Sequence, residues 1–284
     1  MSKIGLVLEG GGARGAYTAG VLQWLMDHEI HFEYGVGMSI SALYLFYFFT
    51  GNASLMKDAC TKIALGKGMV GLPALLSEGS LVGYDKMFKK VQEHQPPLDM
   101  EAVHALPGTV ETGVFDLEAE DCKWIDQQEM DDDLYYLKAA STIPGFGKKV
   151  LVEGKYYLDG GMYTMIPIER ALKQGCEKLL VITTKTADYI RKPTSKLEVS
   201  FMNTIYGKYE KLNDLVVRRH LIYNAERLRL EELIEKKMAV HLFPSDSCGI
   251  SRFGGKQENL ERLFEVGYQD SERRKEELLA FLSE

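Results

Sequence analysis

Apolar residues near the N-terminus fall into two alternating rhythms. Lys3–Leu8 (Lys-Ile-Gly-Leu-Val-Leu) is a short apolar run of strand length, as expected of a strand covered on both faces. A glycine cluster follows, and from Gly15 to Asp27 apolar positions recur at helical spacing. The order repeats at once, with Phe32–Gly37 as strand, Met38 and Ser39 as turn, and Ile40–Thr50 as helix. Two such tight strand-to-helix turns predict an α/β fold with a mostly parallel sheet and functional residues at the carboxyl ends of its strands.

Further along, Asn52–Ala64 and Tyr84–His94 read as amphipathic helices. The stretch between them, with Gly66, Gly68, Gly71, Pro73 and Gly79, reads as a mobile loop over one end of the sheet. Thr109–Leu117 and Cys122–Asp126 alternate like a paired hairpin, Leu134–Ala140 is helical, and Lys149–Leu158 folds back through Glu153-Gly154 as another hairpin that ends at Asp159. Lys178–Thr184 is a core strand, Arg191–Ser195 a polar linker, and Glu198–Lys237 a long charged helical region. Met238–Phe243 is a last strand, expected to return to the same sheet, and Gln257–Leu282 a closing helix. The C-terminal part is therefore a helical appendage on one domain.

Composition narrows the class. Of 284 residues 45% are hydrophobic and 26% charged, which excludes fibrous and disordered chains. A formal net charge of -7 provides no overall positive field, so nucleic acid is not an expected partner. Cys60, Cys122, Cys176 and Cys248 are widely spaced without a C-x-x-C pair, so neither a metal site nor a disulfide framework is predicted. Ile4–Leu8 is shorter than a signal-peptide core, and no run approaches the roughly 18 apolar residues of a membrane span. The expected location is the cytoplasm, with transient contact at a membrane surface. The most apolar segment, Leu43–Phe49, is expected to begin a buried helix, with a lipid-facing role as the alternative.

Three elements carry chemistry. Gly10-Gly11-Gly12-Ala13-Arg14-Gly15 satisfies G-x-G-x-x-G between strand and helix, and Glu33 follows about 20 residues on, as the dinucleotide fingerprint asks. Such a turn aims backbone N–H groups at negative charge, whether a pyrophosphate or a transient oxyanion, so the loop alone does not choose. It can also serve close packing alone. Gly37-Met38-Ser39-Ile40-Ser41 is a nucleophile-elbow pattern with Ser41 in place of the final glycine; the competing use of Ser39 is a plain helix N-cap. Asp159-Gly160-Gly161 is either an Asp-Gly turn or a carboxylate fixed at a strand end as base for a serine hydroxyl. With an ordinary pKa of about 3.9, that base needs desolvation or a tight hydrogen bond.

Taken together, these elements resemble the patatin-like phospholipases. Lys3–Leu22 is similar to that family's opening strand, oxyanion loop and first helix, Met38-Ser39-Ile40-Ser41 to its serine elbow, and Asp159-Gly160-Gly161 to its D-G-[GA] motif. Ala140–Phe146 is similar to the segment preceding the family's aspartate. The resemblance covers roughly residues 3–184 and implies a three-layer α/β/α fold, with 1–185 as catalytic region and 186–284 as a mainly helical extension carrying one strand. It implies a Ser-Asp dyad with Ser39 as nucleophile and Asp159 as base. The oxyanion loop is Gly10, Gly11, Gly12, Ala13 and Arg14, with Gly37, Ser41, Gly160 and Gly161 supporting the turns. The implied partner is a lipid ester, hydrolysed through an acyl-enzyme without metal or other cofactor. Ser41 and Met165 depart from the family pattern, where glycine and often asparagine stand.

Other readings compete. His220 or His241 would complete a Ser-Asp-His triad in the chain order of α/β-hydrolases, but His220 in the charged helix reads as a solvated residue and His241 in an apolar strand as a core histidine. A nicotinamide-dependent dehydrogenase would use the glycine loop and Glu33, leaving Ser39 and Asp159 unexplained. A non-catalytic module would hold an acidic lipid headgroup on the same loop. Arg191-Lys192, Lys196 and Arg218-Arg219 form either a membrane-surface patch or solvated helix faces.

Overall fold

The computed structural model describes residues 2–63 and 68–283. In chain order the elements are β1 (Ile4–Leu8), α1 (Gly15–Asp27), β2 (Tyr34–Gly37), α2 (Ile40–Phe49), α3 (Ala53–Asp58), α4 (Leu72–Glu78), α5 (Tyr84–Gln92) and α6 (Met100–His104). Then come β3 (Thr109–Asp116), β4 (Asp121–Asp126), α7 (Tyr135–Ser141), β5 (Val150–Val152), β6 (Lys155–Asp159), α8 (Ile168–Lys173) and β7 (Lys178–Ile182). The chain closes with α9 (Lys196–Tyr206), α10 (Glu210–Glu235), β8 (Ala239–Leu242), α11 (Gln257–Arg273) and α12 (Lys275–Ser283).

The sheet runs β5-β6-β3-β2-β1-β7-β8, with β4 paired to β3. Strands β3, β2, β1, β7 and β8 are mutually parallel, while β4 and β6 run antiparallel to β3. The two-residue period of a strand sends alternate side chains to opposite faces. Leu6, Leu8, Leu180 and Ile182 accordingly join one apolar cluster with α1, α2 and α11. Val7, Val36, Leu179 and Val181 join another with α8 and α10. Helices thus cover both faces of a mainly parallel sheet, the three-layer α/β/α arrangement. Strand β8, from the C-terminal part, pairs with β7, and a third cluster sets α9 and the start of α10 over β3 and β6.

Several local expectations are corrected. The stretch read as a loop contains α4, opened by Gly71 and Pro73 and closed by Gly79 in the left-handed conformation, so its glycines and proline punctuate a helix. Ala64 and Gly66 lie outside the described residues. The region 198–237 is two helices, broken after Gly207, with the Asn213 side-chain amide donating to the carbonyls of Tyr206 and Tyr209. The closing helix is likewise interrupted at Arg274. Leu43–Phe48 is buried throughout, so α2 is a core helix and its apolar side chains face protein rather than lipid.

Candidate active site

Strand β3 acts as a ruler for the site. One edge is covered by β4 from Glu111 to Asp116, so β2 and β6 must share the other. There Gly37, the last residue of β2, lies opposite Thr112, and Asp159, the last of β6, lies opposite Val114. The two strands approach head to head and stop on either side of Gly113. Backbone passes so closely here that a Cβ on Gly160 would lie 2.4 Å from the Gly113 carbonyl oxygen.

At this junction the Ser39 hydroxyl donates to Asp159 Oδ2 at 2.6 Å. Ser39 has φ 57° and ψ -139°, a conformation non-glycine residues adopt only where the surroundings enforce it. It projects the hydroxyl off the end of β2 before α2 begins. Asp159 Oδ1 accepts the Gly161 N–H at 2.7 Å, which fixes the carboxylate plane. Ser39 and Asp159 are 6% and 4% exposed. Burial pushes the Asp159 pKa up; the Ser39 hydroxyl, the Gly161 amide and the charges of Arg219 and Arg252 oppose that rise.

The glycine loop lies against this pair. A Cβ on Gly10 would meet that of Ser39 at 2.9 Å. The Gly10 amide donates to the Met165 carbonyl and the Ala13 amide to the Arg252 carbonyl; among the described residues the Gly11 and Gly12 amides have no acceptor. Ser41 fits the elbow: it is fully buried, and its hydroxyl donates to the Glu9 carbonyl at 2.7 Å. The tight contact is at Gly37, where a Cβ would lie 3.0 Å from the Ser41 carbonyl oxygen. Glu9 is itself buried and accepts the Thr184 N–H at 2.6 Å.

Two clefts meet at Ser39. One, of about 50 Å³, is walled by Ile40, Val70, Val82, Met87, Ile143 and Phe253. The other, of about 30 Å³, is walled by Arg14, Asp159, Arg191, Arg219 and Arg252. The first is covered by the Ser251–Gly254 turn, where Phe253 packs on Phe146 with ring centroids 4.6 Å apart. Arg191 and Arg219 are half-buried and line the second cleft, which removes them from the surface patch suggested by their sequence positions. Arg218 remains exposed and pairs with Asp214 at 3.2 Å.

Sequence reasoning missed Arg252, Phe253 and Glu226. Glu226 accepts from the Thr164 hydroxyl and the Met165 and Ile166 amides, bracing the segment whose Met165 carbonyl holds Gly10. A signal for part of this did exist. On α10, Arg219 and Glu226 continue the three- and four-residue spacing of the buried Leu212, Leu215, Val216, Tyr223, Leu230 and Leu233, so they are polar residues on a core-facing stripe.

The competing acids and bases fall elsewhere. His241 is on β8, separated from β2 by β1 and β7, and bonds Thr183 Oγ1 at 2.8 Å. Burial, followed by the charges of Arg227 and Arg274, pushes its pKa down to about 3. His220 makes its contact with the Val217 carbonyl of its own helix, and among the described residues no histidine lines either cleft. Glu33 immediately precedes β2. It lies at the opposite end of the sheet from the glycine loop and cannot reach a ribose held there. Among the described residues no grouping of His, Cys, Asp and Glu is suited to a metal, and no helix is long and apolar enough to cross a membrane.

Comparison with known proteins agrees with this architecture. The family described as "Patatin-like phospholipase" matches residues 6–172, and a "Domain of unknown function (DUF6363)" matches 209–283. The chain is similar to the "Uncharacterized protein YjjU" of Escherichia coli (strain K12), at 29% identity over 195 residues, 64% of this chain and 52% of that protein. It thus spans about half the length of that curated relative. The crystal structure of VipD from Legionella pneumophila has a similar fold, with a TM-score of 0.50 and 11% identity over 100% of this chain and 67% of that one. The chain belongs to the patatin-like phospholipase family, a family of lipid hydrolases.

Proposed function

We propose that the protein is a serine acyl-ester hydrolase acting on phospholipids or related lipid esters through an acyl-enzyme. The observation that carries this reading is the 2.6 Å hydrogen bond from a conformationally strained Ser39 to a buried Asp159. Ser39 Oγ attacks the ester carbonyl carbon as its proton passes to Asp159 Oδ2. The developing oxyanion is received by the Gly11 and Gly12 amides, donors held by the backbone and needing no rearrangement during the reaction. Collapse of the tetrahedral species expels the alcohol, which takes the proton from Asp159. Water then attacks the acyl-enzyme, giving its proton to the same carboxylate, and the fatty acid leaves with Ser39 restored.

The surroundings favour a substrate met at a lipid surface. Leu72 and Leu76 on α4 and Leu197, Phe201 and Ile205 on α9 are exposed. Both neighbourhoods border the 143–147 segment: Val82 donates to the Phe146 carbonyl, and Phe201 lies against Gly145. Ile143 of that segment lines the Ser39 clefts. The test is fatty-acid release from phospholipid in mixed micelles. Ser39→Ala is expected to lose at least about 10³-fold in kcat, while His241→Ala and added EDTA leave turnover in place. Turnover abolished in a folded His241→Ala protein would overturn the two-residue assignment.

A further inference from the structure

The cleft on the Asp159 side of Ser39 gathers more cations than acids. Arg14, Arg191, Arg219 and Arg252 line it, with Glu9 and Asp159 as its carboxylates. That is a surplus of two positive charges in a chain whose formal net charge is -7. Nε of Arg14, Nε of Arg219 and Nη1 of Arg252 are buried and have no hydrogen-bond partner among the described residues. Burial, then Arg191 and Arg252, push the Arg219 pKa down to about 9, and burial lowers that of Arg14 and Arg191. Elsewhere the protein treats a half-buried arginine differently: Arg170 grips Glu111 through two bonds of 2.8 and 2.6 Å. Gathering desolvated like charges costs stability, and the group that relieves the cost is an incoming anion. Planar guanidinium forks match the oxygens of phosphate.

The neighbouring cleft gives this charge a direction. Both clefts share Gly12, Ser39, Ile143 and Arg252, yet one is otherwise largely apolar and the other cationic. An ester carbonyl at Ser39 therefore faces apolar side chains suited to hydrocarbon on one side and guanidinium groups on the other. We propose that Arg191, Arg219 and Arg252, all from the C-terminal region, form with Arg14 a subsite for a phosphate monoester dianion. The preferred substrate is then a fatty-acyl ester whose alcohol carries a terminal phosphate. A phosphodiester brings a single negative charge and neutralises half the surplus, and a choline group adds a repelled cation. The substrate assignment rests on the serine-hydrolase reading; the anion subsite itself does not.

Two measurements separate them. The first compares kcat/KM for 1-acyl-glycerol-3-phosphate, 1-acyl-glycero-phosphocholine and monoacylglycerol with the same acyl chain. The phosphate monoester is expected to lead monoacylglycerol, and Arg219→Met or Arg252→Met to reduce that ratio by about 10–100-fold, the size of one or two hydrogen bonds to a charged group. Equal rates on all three, or a ratio unchanged in both variants, overturn the substrate assignment. The second uses inorganic phosphate on Ser39→Ala protein, where no turnover enters. A millimolar phosphate-dependent rise in Tm that vanishes in Ser39→Ala/Arg252→Met supports the subsite and identifies free phosphate as sufficient. A rise confined to the monoacyl phosphate locates recognition in the lipid headgroup. The same rise in both proteins, or none with either ligand, overturns it. Absence of turnover on every ester with phosphate binding intact would defeat the hydrolase reading and leave the subsite standing.

Discussion

The junction of β2 with β6 and the inward face of residues 191–252 build the surroundings of Ser39 by opposite means. At the junction, the proposed chemistry is held in backbone: Ser39 in a rare conformation, Gly37 and Gly160 where a Cβ would crowd neighbouring atoms, and Asp159 pinned by Gly161. On the other side, the proposed selectivity is held in long side chains, with Arg219 reaching from α10, Glu226 of the same helix bracing Met165, and Arg252 and Phe253 coming from a surface turn. Backbone geometry fixes a reacting atom within tenths of an ångström, as bond-making requires. Side chains on a helix and a turn can exchange without disturbing the sheet, as selection among substrates requires. On this account, damage to the first region removes chemistry and damage to the second changes what is accepted.

The largest effect expected from breaking that division is at Asp159. Asp159→Asn keeps the shape and is expected to lower kcat by about 10³-fold or more, since general-base and positioning roles are lost together. The wild-type pH profile sharpens the point. The carboxylate works only when ionised, and burial raises its pKa, so activity should fall on acidification at a higher pH than an ordinary aspartate would give. Because the raised pKa means that ionised Asp159 costs the fold stability at neutral pH, Asp159→Asn should be at least as stable as wild type there. A Tm well below wild type would show that the carboxylate is structural.

Gly37→Ala is expected to come next. Its Cβ would press on the Ser41 carbonyl and on Ala42, at a cost of about 1–3 kcal/mol, and displacement of Ser39 should lower kcat by about 10–100-fold with KM little changed. A variant with wild-type kcat would show that the elbow tolerates widening. The smallest effect belongs to the other region. Phe253 lines a cleft of about 50 Å³, too small for a long acyl chain, so on this account the Ser251–Gly254 turn is expected to move when substrate enters. Phe253→Ala should raise kcat/KM on long-chain esters by about 2–5-fold and hardly change it on short ones; equal changes on both would place the barrier elsewhere.

The same division governs what the sequence makes legible. Ser39, Asp159 and the glycine loop are visible because turns that need glycine and small residues leave short, dense signatures between apolar runs, and the order of strands and helices follows from those runs. Asp159 is 120 residues from Ser39 along the chain, yet both sit at strand ends, and the registers of β2 and β6 on β3 bring those ends together. Arg252 and Phe253 leave no such trace. Their place depends on a turn docking over the glycine loop, through the Ala13 N–H bonded to the Arg252 carbonyl, a tertiary contact with no local pattern. Ser41, which departs from the family pattern, is accommodated because its hydroxyl finds the Glu9 carbonyl, a partner no spacing rule reveals. His241, whose apolar strand context already points to a core histidine, is a buried ring bonded to Thr183 with its pKa pushed down.

The central claim is that Ser39 is activated by Asp159. Its most direct test is intact-mass analysis and peptide mapping after exposure of the folded protein to a lipid-like fluorophosphonate, with and without lipid micelles. The account predicts one covalent adduct, on Ser39, absent in Ser39→Ala and strongly slowed in Asp159→Asn. No adduct under either condition, or an adduct on Ser39 that forms equally fast in Asp159→Asn, would contradict it.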